Sequence, residues 1–209
     1  WKTRQPVYYR DFMSSEDARI QHWEFKLEGW EQFRDARPTP VHHAVVRLER
    51  AGKVLMVVTQ NVDGLHRAAG TSEDKLVEVH GTGTLVECQT CGHRETPQPS
   101  FDLFKRERRS PRCECGGYLK PATISFGQSL REEDLARADA AARSCDLVLV
   151  LGSTLSVSPA NLIPLAAAQA GAPYIIINRD ETDHDSLPQV TLRLKGNVED
   201  QFPPAVASL

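Results

Sequence analysis

The sequence predicts an α/β fold, an open parallel sheet flanked by helices and interrupted by one small module. Three observations carry that expectation. Residues 147–151 (LVLVL) and 174–177 (YIII) are apolar runs separated by a helix-forming stretch, and strand, helix, strand in that order is the signature of a parallel βαβ unit. Residues 54–58 form a further apolar run that stops at Thr59, where Gln60, Asn61, Asp63 and Gly64 follow at once. In open α/β sheets ligands lie beyond the carboxyl ends of the strands, so amides and a carboxylate at that point are placed for chemistry. From Gly81 to Gly117 the texture changes to two cysteine pairs, a basic run and little continuous apolar sequence. Such a stretch needs something besides a large core to hold it.

The whole composition is that of an ordinary globular protein. The 209 residues carry a net charge of -3, without the overall basic excess of a nucleic-acid binder. Residues 105–112 (KRERRSPR) are the local exception and read as a solvated loop. No apolar run approaches the roughly 20 residues of a membrane helix, and no signal-peptide pattern is present. The expected address is cytoplasmic, with neither membrane nor direct nucleic-acid contact. Five cysteines, four of them in two tight pairs, favour a metal site over disulfides.

Taken in order, the opening WKTRQPVYYRDF has no clear period. Ser14 or Ser15 can then cap a helix whose first turn holds Glu16 and Asp17, with Ile20, Trp23, Leu27 and Trp30 as its apolar stripe. Pro38 and Pro40 break that pattern, Thr39 caps a second helix bearing Val45, Val46 and Leu48, and Gly52 ends it. The strand at 54–58 follows, then a short strand at 76–79 that delivers His80, the side chain with an ordinary pKa nearest neutrality. Residues 118–127 (YLKPATISFG) read as extended, and residues 131–144 as a helix anchored mainly by Leu135. Pro159 is expected to begin a helix closed by Gly171, residues 190–194 to form a last strand, and a final helix to start near Asn197.

Cys88 and Cys91 (CQTCG) with Cys113 and Cys115 (CECGG) are the strongest single signal, the four thiolates of a structural zinc ribbon. The second pair has one intervening residue where two are commoner, which leaves His93 as an alternative ligand. Cys145, at a helix end, reads as a small core residue. Gly152, Ser153 and Thr154 follow an apolar strand and precede a helix, where amides and hydroxyls meet a phosphate or ribose. Asn178 and Asp180 end the next strand, and a carboxylate there can accept from ribose hydroxyls; as a pair the two strand ends favour a nucleotide. Gly81 and Gly83 imitate a phosphate loop, but no helix is expected after them.

In this order the motifs resemble those of the sirtuins, NAD-dependent protein lysine deacylases. The matching stretches are TQNVDGLHRAAG at 59–70, VEVHG ending at Gly81, CQTCG, CGGYLKPATISFGQ at 115–128, DLVLVLGSTLSVSPA at 146–160, IIINRD ending at Asp180, and GNVEDQF from Gly196. The resemblance implies a Rossmann-like doubly wound parallel sheet over residues 1–80 and 118–209, with a zinc-ribbon insert at 81–117. It implies that Gln60, Asn61, Val62 and Asp63 surround nicotinamide and its ribose, and that Asn61, Asp63 and His80 are catalytic, His80 being the general base. The acyl-lysine carbonyl oxygen attacks the ribose carbon as nicotinamide leaves, the histidine takes a ribose hydroxyl proton, and the acyl group ends on ADP-ribose. By the same resemblance Gly152, Ser153 and Thr154 hold the cofactor, Asn178, Arg179 and Asp180 meet the adenosine ribose, and Val198 lies by the adenine. Ile124, Ser125, Phe126 and Gly127 resemble the segment that pairs with an acylated peptide. The cofactors implied are NAD and one structural zinc ion.

Some positions depart from the family. Gln128 stands where a glutamate is usual, and Ser153 with Thr154 reverses the commoner order. The N-terminal glycine-alanine-glycine loop that embraces the NAD pyrophosphate is not in the sequence, nor is the Asp-Phe-Arg segment after it. Trp1 resembles a tryptophan slightly beyond that segment, so either this sequence is a fragment or the protein has lost its first βα unit, and the nucleotide sheet as given is expected to lack its first strand. Two other readings follow: a non-catalytic module that binds NAD, ADP-ribose or protein through a degenerate site, and a protein ADP-ribosyltransferase.

Overall fold

A computed structural model describes residues 5–209, and Trp1 lies outside them. The chain divides into two compact units. The first takes in the described residues up to Ala36, then Asn61–Gly64 and His80–Leu130, a wider set than residues 81–117. The second comprises Arg37–Gln60, Leu65–Val79 and Arg131–Leu209.

In the first unit the aperiodic opening folds as a short helix, α1 (Tyr9–Ser14). Helix α2 (Glu16–Glu28) begins at Ser15, whose hydroxyl accepts from the Ala18 amide at 3.3 Å, and Glu16 and Asp17 sit at the positive end of its dipole. Gly29 separates α2 from α3 (Trp30–Asp35), so the apolar stripe spans two helices. Its partners come from far along the chain. Trp30 stacks on Phe101 at 4.4 Å between ring centroids, and Trp23 meets the same ring edge-on at 5.2 Å. Phe101 and Phe104 lie on α6 (Pro97–Glu107), a helix that the sequence texture did not announce. With Val86 and Cys88 of β3 (Gly81–Cys88) and Leu119 of β5 (Leu119–Thr123) they close an aromatic core. The cysteine module is therefore not held by metal alone. Helix α6 also takes residues 105–107 of the basic run, leaving the loop to start at Arg108, whose φ of 53° ends the helix. Strand β4 (Arg94–Glu95) completes an antiparallel sheet in the order β4-β3-β5.

The second unit holds the parallel strands. Helix α4 (Pro40–Arg50) opens on a capping box in which the Thr39 amide donates to His42 Nδ1 at 3.1 Å. Strand β1 (Val57–Thr59) pairs in parallel with β2 (Leu76–Glu78), and α5 (Leu65–Ala69) lies between them in sequence. Strands β6 (Val148–Leu151), β7 (Tyr174–Asn178) and β8 (Val190–Lys195) form a second parallel set, β6-β7-β8, which bears out the βαβ reading. Among the described residues no strand pairs β1 with β6. Val57, Leu149, Leu151 and Ile177 nevertheless share one apolar cluster with Ala44 and Val45 of α4 and with Phe202 and Val206 of α9 (Val198–Ala207).

Several expected details shift. The first strand begins at Val57, opposite Leu76, rather than at residue 54, whose carbonyl accepts from Lys75 Nζ at 2.9 Å. Strand β6 is half-buried along its length, with Leu147 46% exposed just before it, since among the described residues it pairs with β7 alone. Helix α8 (Leu162–Gln169) starts three residues after Pro159: Leu155 is buried with φ 58°, and Asn161 Nδ2 donates to its carbonyl at 3.1 Å, which holds the chain in a loop. In α7 (Glu132–Ser144) the buried anchors are Ala138 and Ala142 in place of Leu135, because small side chains let α7 lie close on Ala167 of α8.

Candidate functional site

The predicted site residues fall in both units, the chain passing from one to the other at Gln60–Asn61 and again at Val79–His80. In the second unit the carboxyl ends of β1, β6 and β7 bring Gln60, Ser153 and Asn178 to one end of the strands. Gln60 Nε2 donates to Ser153 Oγ at 3.4 Å, and the same hydroxyl oxygen accepts from the Leu155 amide at 3.1 Å. Gly152 has φ 64°, a conformation that favours glycine, and its amide donates to the Ile177 carbonyl at 2.9 Å. A Cβ on Gly152 would sit 3.6 Å from Val198, the first residue of α9, whose cap Asn197 accepts from the Glu199 amide at 3.3 Å. The Thr154 carbonyl accepts from the Asp183 amide at 3.0 Å, tying this loop to the one after β7. There Asn178 is buried, and its side chain donates to the Asp180 carbonyl at 2.9 Å, while the carboxylate of Asp180 stays exposed beside Arg179 at 3.3 Å. A glycine turn, a hydroxyl, an exposed carboxylate and a helix start thus gather at the strand ends, where ligands of open α/β sheets lie.

In the first unit the start of β3 stitches the remaining candidates together. The Val62 carbonyl, between Asn61 and Asp63, accepts from the Gly83 amide at 2.7 Å, and the His80 carbonyl accepts from the Ile124 amide at 2.8 Å. Gly64 and Gly81 both have φ 71°. A Cβ on Gly81 would lie 2.1 Å from the Ala122 carbonyl oxygen, so this glycine exists for close approach of two backbones. The GTG sequence opens a strand and no helix, as expected. Ile124 continues from β5, and Ser125–Gln128 closes a turn: the Gln128 amide donates to the Ser125 carbonyl at 3.0 Å and the Gln128 side chain accepts from the Ser125 amide at 3.1 Å. Gly127 supplies the φ of 78° that the turn needs, and the Phe126 carbonyl accepts from the Tyr9 amide at 2.9 Å.

The four cysteines come together in the same unit. Their sulfurs all lie within 4.8 Å of one another, Cys88 to Cys115 at 3.5 Å and Cys91 to Cys113 at 3.8 Å. A tetrahedral zinc ion with Zn–S bonds of about 2.3 Å sets sulfurs about 3.8 Å apart, so the thiols fit that ion. The single-residue spacing of the second pair suffices, and His93 contributes its carbonyl to the Cys88 amide at 2.8 Å instead of joining the sulfur cluster. A Cβ on Gly117 would stand 2.6 Å from Cys88 Sγ, which is why the knuckle carries glycine there. Burial raises the Cys88 thiol, but the amides of Cys91 and Thr90 and the neighbouring thiols outweigh it and bring the pKa down to about 6. The amide of Gly117 favours the Cys115 thiolate, yet the sulfurs of Cys91 and Cys88 oppose it more strongly and push Cys115 to about 12. A full set of four protein ligands leaves no open position, which makes this a structural metal site.

Two buried charged side chains escaped the sequence reading. Arg193 of β8 is largely buried against the loop after β7, and Lys120 of β5 is almost wholly buried. The available signal was a charge inside a short strand otherwise rich in apolar residues.

Comparison with known proteins places the chain. Residues 2–159 match the model of the Sir2 family. The NAD-dependent protein deacetylase 1 of Bradyrhizobium diazoefficiens is 40% identical over 197 residues, covering 92% of this chain and 76% of the relative. The NAD-dependent protein deacetylase of Rhodopseudomonas palustris is 37% identical, covering 92% and 77%. Among solved structures, Sir2 bound to acetylated peptide matches with a TM-score of 0.89 at 29% identity, over 100% of this chain and 84% of that one. Sir2Tm bound to a propionylated peptide matches with a TM-score of 0.87 at 28% identity, over 97% and 82%. By sequence and by fold alike, the chain belongs to the Sir2 family.

Proposed function

We propose that the chain is an NAD-dependent protein lysine deacetylase, transferring the acyl group of an acylated lysine to ADP-ribose with release of nicotinamide. The observation that carries this reading is the 40% identity, across 92% of the chain, to a relative named for that activity. NAD supplies the leaving nicotinamide and the ribose that accepts the acyl group. The residues have matching properties. Gln60, Asn61, Val62 and Asp63 follow β1 and are assigned to the nicotinamide ribose, with Asn61, Asp63 and His80 as the catalytic set. Gly152, Ser153, Thr154, Asn178, Arg179, Asp180 and Val198 are assigned to the adenosine half. His80 follows β2 with Val79 between them, its backbone carbonyl bonded to the Ile124 amide, and it is assigned as the general base that takes a ribose hydroxyl proton. Ile124, Ser125, Phe126 and Gly127 are assigned to the substrate peptide, and the four cysteines to zinc. Thiols kept as metal ligands accord with a cytoplasmic address, and a net charge of -3 with peptide, rather than nucleic acid or membrane, as partner.

The test is nicotinamide release from NAD in the presence of an acetyl-lysine peptide. His80→Ala is expected to slow it by about 100-fold or more. An unchanged rate in that variant sinks the assignment. Label from NAD appearing on protein would indicate ADP-ribosyl transfer, and tight NAD binding without turnover a binding module.

A further inference from the structure

Asp180 is exposed, and the turn that presents it, residues 178–180, has to be held from behind. Three of its polar groups point inward. The Asn178 side chain donates to the Asp180 carbonyl, and the Asn178 carbonyl accepts from the Gly196 amide at 3.1 Å. The third partner is Arg193. Its Nη1 donates to the Asn178 carbonyl at 2.9 Å and to the Leu194 carbonyl at 2.6 Å, and its Nη2 donates to the Asp180 carbonyl at 2.7 Å. Its Nε donates to Asp185 Oδ1 at 2.7 Å, and the Thr182 hydroxyl donates to the same oxygen at 2.5 Å. The residue before Asp185, His184, is buried and hydrogen-bonded through Nδ1 to the Tyr174 hydroxyl of β7 at 2.8 Å.

One guanidinium thus gathers the carbonyls at both ends of the turn and the carboxylate five residues beyond it. Its planar fork supplies several donors in fixed directions, a task for which lysine, with a single ammonium, has fewer and less directed hydrogen bonds. The side chain is 18% exposed and that of Asp185 is 29% exposed, so the pair is shielded rather than a surface ornament. The remaining connection runs back to the other strand end, since the Asp183 amide donates to the Thr154 carbonyl.

We infer that Arg193 is a positioning residue for the nucleotide, holding the turn at 178–180 and the loop at 182–185 in the shape that offers Asp180 to the adenosine ribose. The inference rests on the NAD reading of the strand ends, and Arg193 itself touches no substrate. With the turn released, a bound nucleotide would have to order it, and that cost appears in affinity for NAD rather than in the chemical step.

Steady-state kinetics on the full chain test this, varying NAD and an acetyl-lysine peptide in turn. Arg193→Ala is expected to raise KM for NAD by about tenfold, as loss of a set of charge-assisted hydrogen bonds would, with kcat and the peptide KM within about twofold. Arg193→Lys, which keeps the charge but not the planar fork, is expected to recover only part of that loss, and Asp185→Asn to lie between wild type and Arg193→Ala. If Arg193→Ala does not fold, Asp185→Asn decides by the same criteria. The inference is overturned by an unchanged KM for NAD, or by kcat, both KM values and Tm worsening together with no recovery in the lysine variant. Wild-type protein that neither turns over nor binds NAD overturns the proposed function itself, an outcome separate from any variant effect.

Discussion

Lys120 shows how a single residue acquires properties that its name does not announce. It is 1% exposed on β5, and its ammonium donates to the Pro121 carbonyl at 3.1 Å and to the Thr123 carbonyl. Burial, and after it the nearby charge of Lys26, bring its pKa from 10.5 down to about 7 against the opposing charge of Glu87 across the sheet. Unfolded, the lysine holds its proton up to its ordinary pKa, whereas folded it begins to lose it near 7. Between those values the unfolded state binds more protons, so stability rises with pH through the window and falls as pH drops toward 7. Urea unfolding at pH 7 and pH 9 should therefore show a gain of roughly 2 kcal/mol in wild type that Lys120→Met abolishes. Equal slopes in the two proteins would refute it. The sequence placed Lys120 in an extended segment and no more, because burial depends on what packs over it. Gly81 was legible in the same partial way: a glycine after a candidate base was evident, while its reason, the Ala122 carbonyl 2.1 Å from where a Cβ would be, belongs to the paired strands.

At the scale of elements, the cysteine knuckles were read correctly and their setting was not. Spacing alone named Cys88, Cys91, Cys113 and Cys115, since ligands two or three residues apart on a turn meet regardless of the rest of the chain. The helix α6 and its stacking on Trp23 and Trp30 stayed hidden, because Trp30 and Gln98, joined by a hydrogen bond at 3.1 Å, are 68 residues apart. That core changes the expected response to metal loss. Small zinc modules commonly unfold without their ion. Here, chelation of the zinc-loaded protein should release the knuckles alone, raising amide exchange at 88–95 and 113–118 while α2 and α6 keep their protection. Loss of helical signal along with the knuckles would show that the aromatic core cannot stand without metal. Helix starts divide similarly. Ser14 or Ser15 was legible as a cap from residue type and the acids behind, and the structure selects Ser15, whereas α8 begins at Leu162 because the buried Leu155 claims the preceding residues for a loop.

For the whole molecule, the proposed activity makes a thermodynamic claim that needs no turnover. A ligand that binds only the folded chain at 100 times its Kd adds about 2.7 kcal/mol. For a protein of this size that corresponds to a rise of roughly 5–10 °C in Tm on adding NAD. No shift at saturating NAD would count against the nucleotide site, whatever the metal does.

Along the chain the residue types and their spacing were legible in order: polar groups after β1, a histidine after β2, four thiols at ligand spacing, and a glycine and a carboxylate at successive strand ends. Those signals are local, set by spacing within a turn or by the alternation of strand and helix, and local rules read them. Which groups stand behind them came from long-range packing. Arg193 closing on the carbonyls of Asn178 and Asp180, the aromatic rings that share the load of the metal knuckles, and the burial of Lys120 all depend on segments far apart in sequence. Folding brings such segments together by burying apolar surface, and no short stretch specifies its own partners.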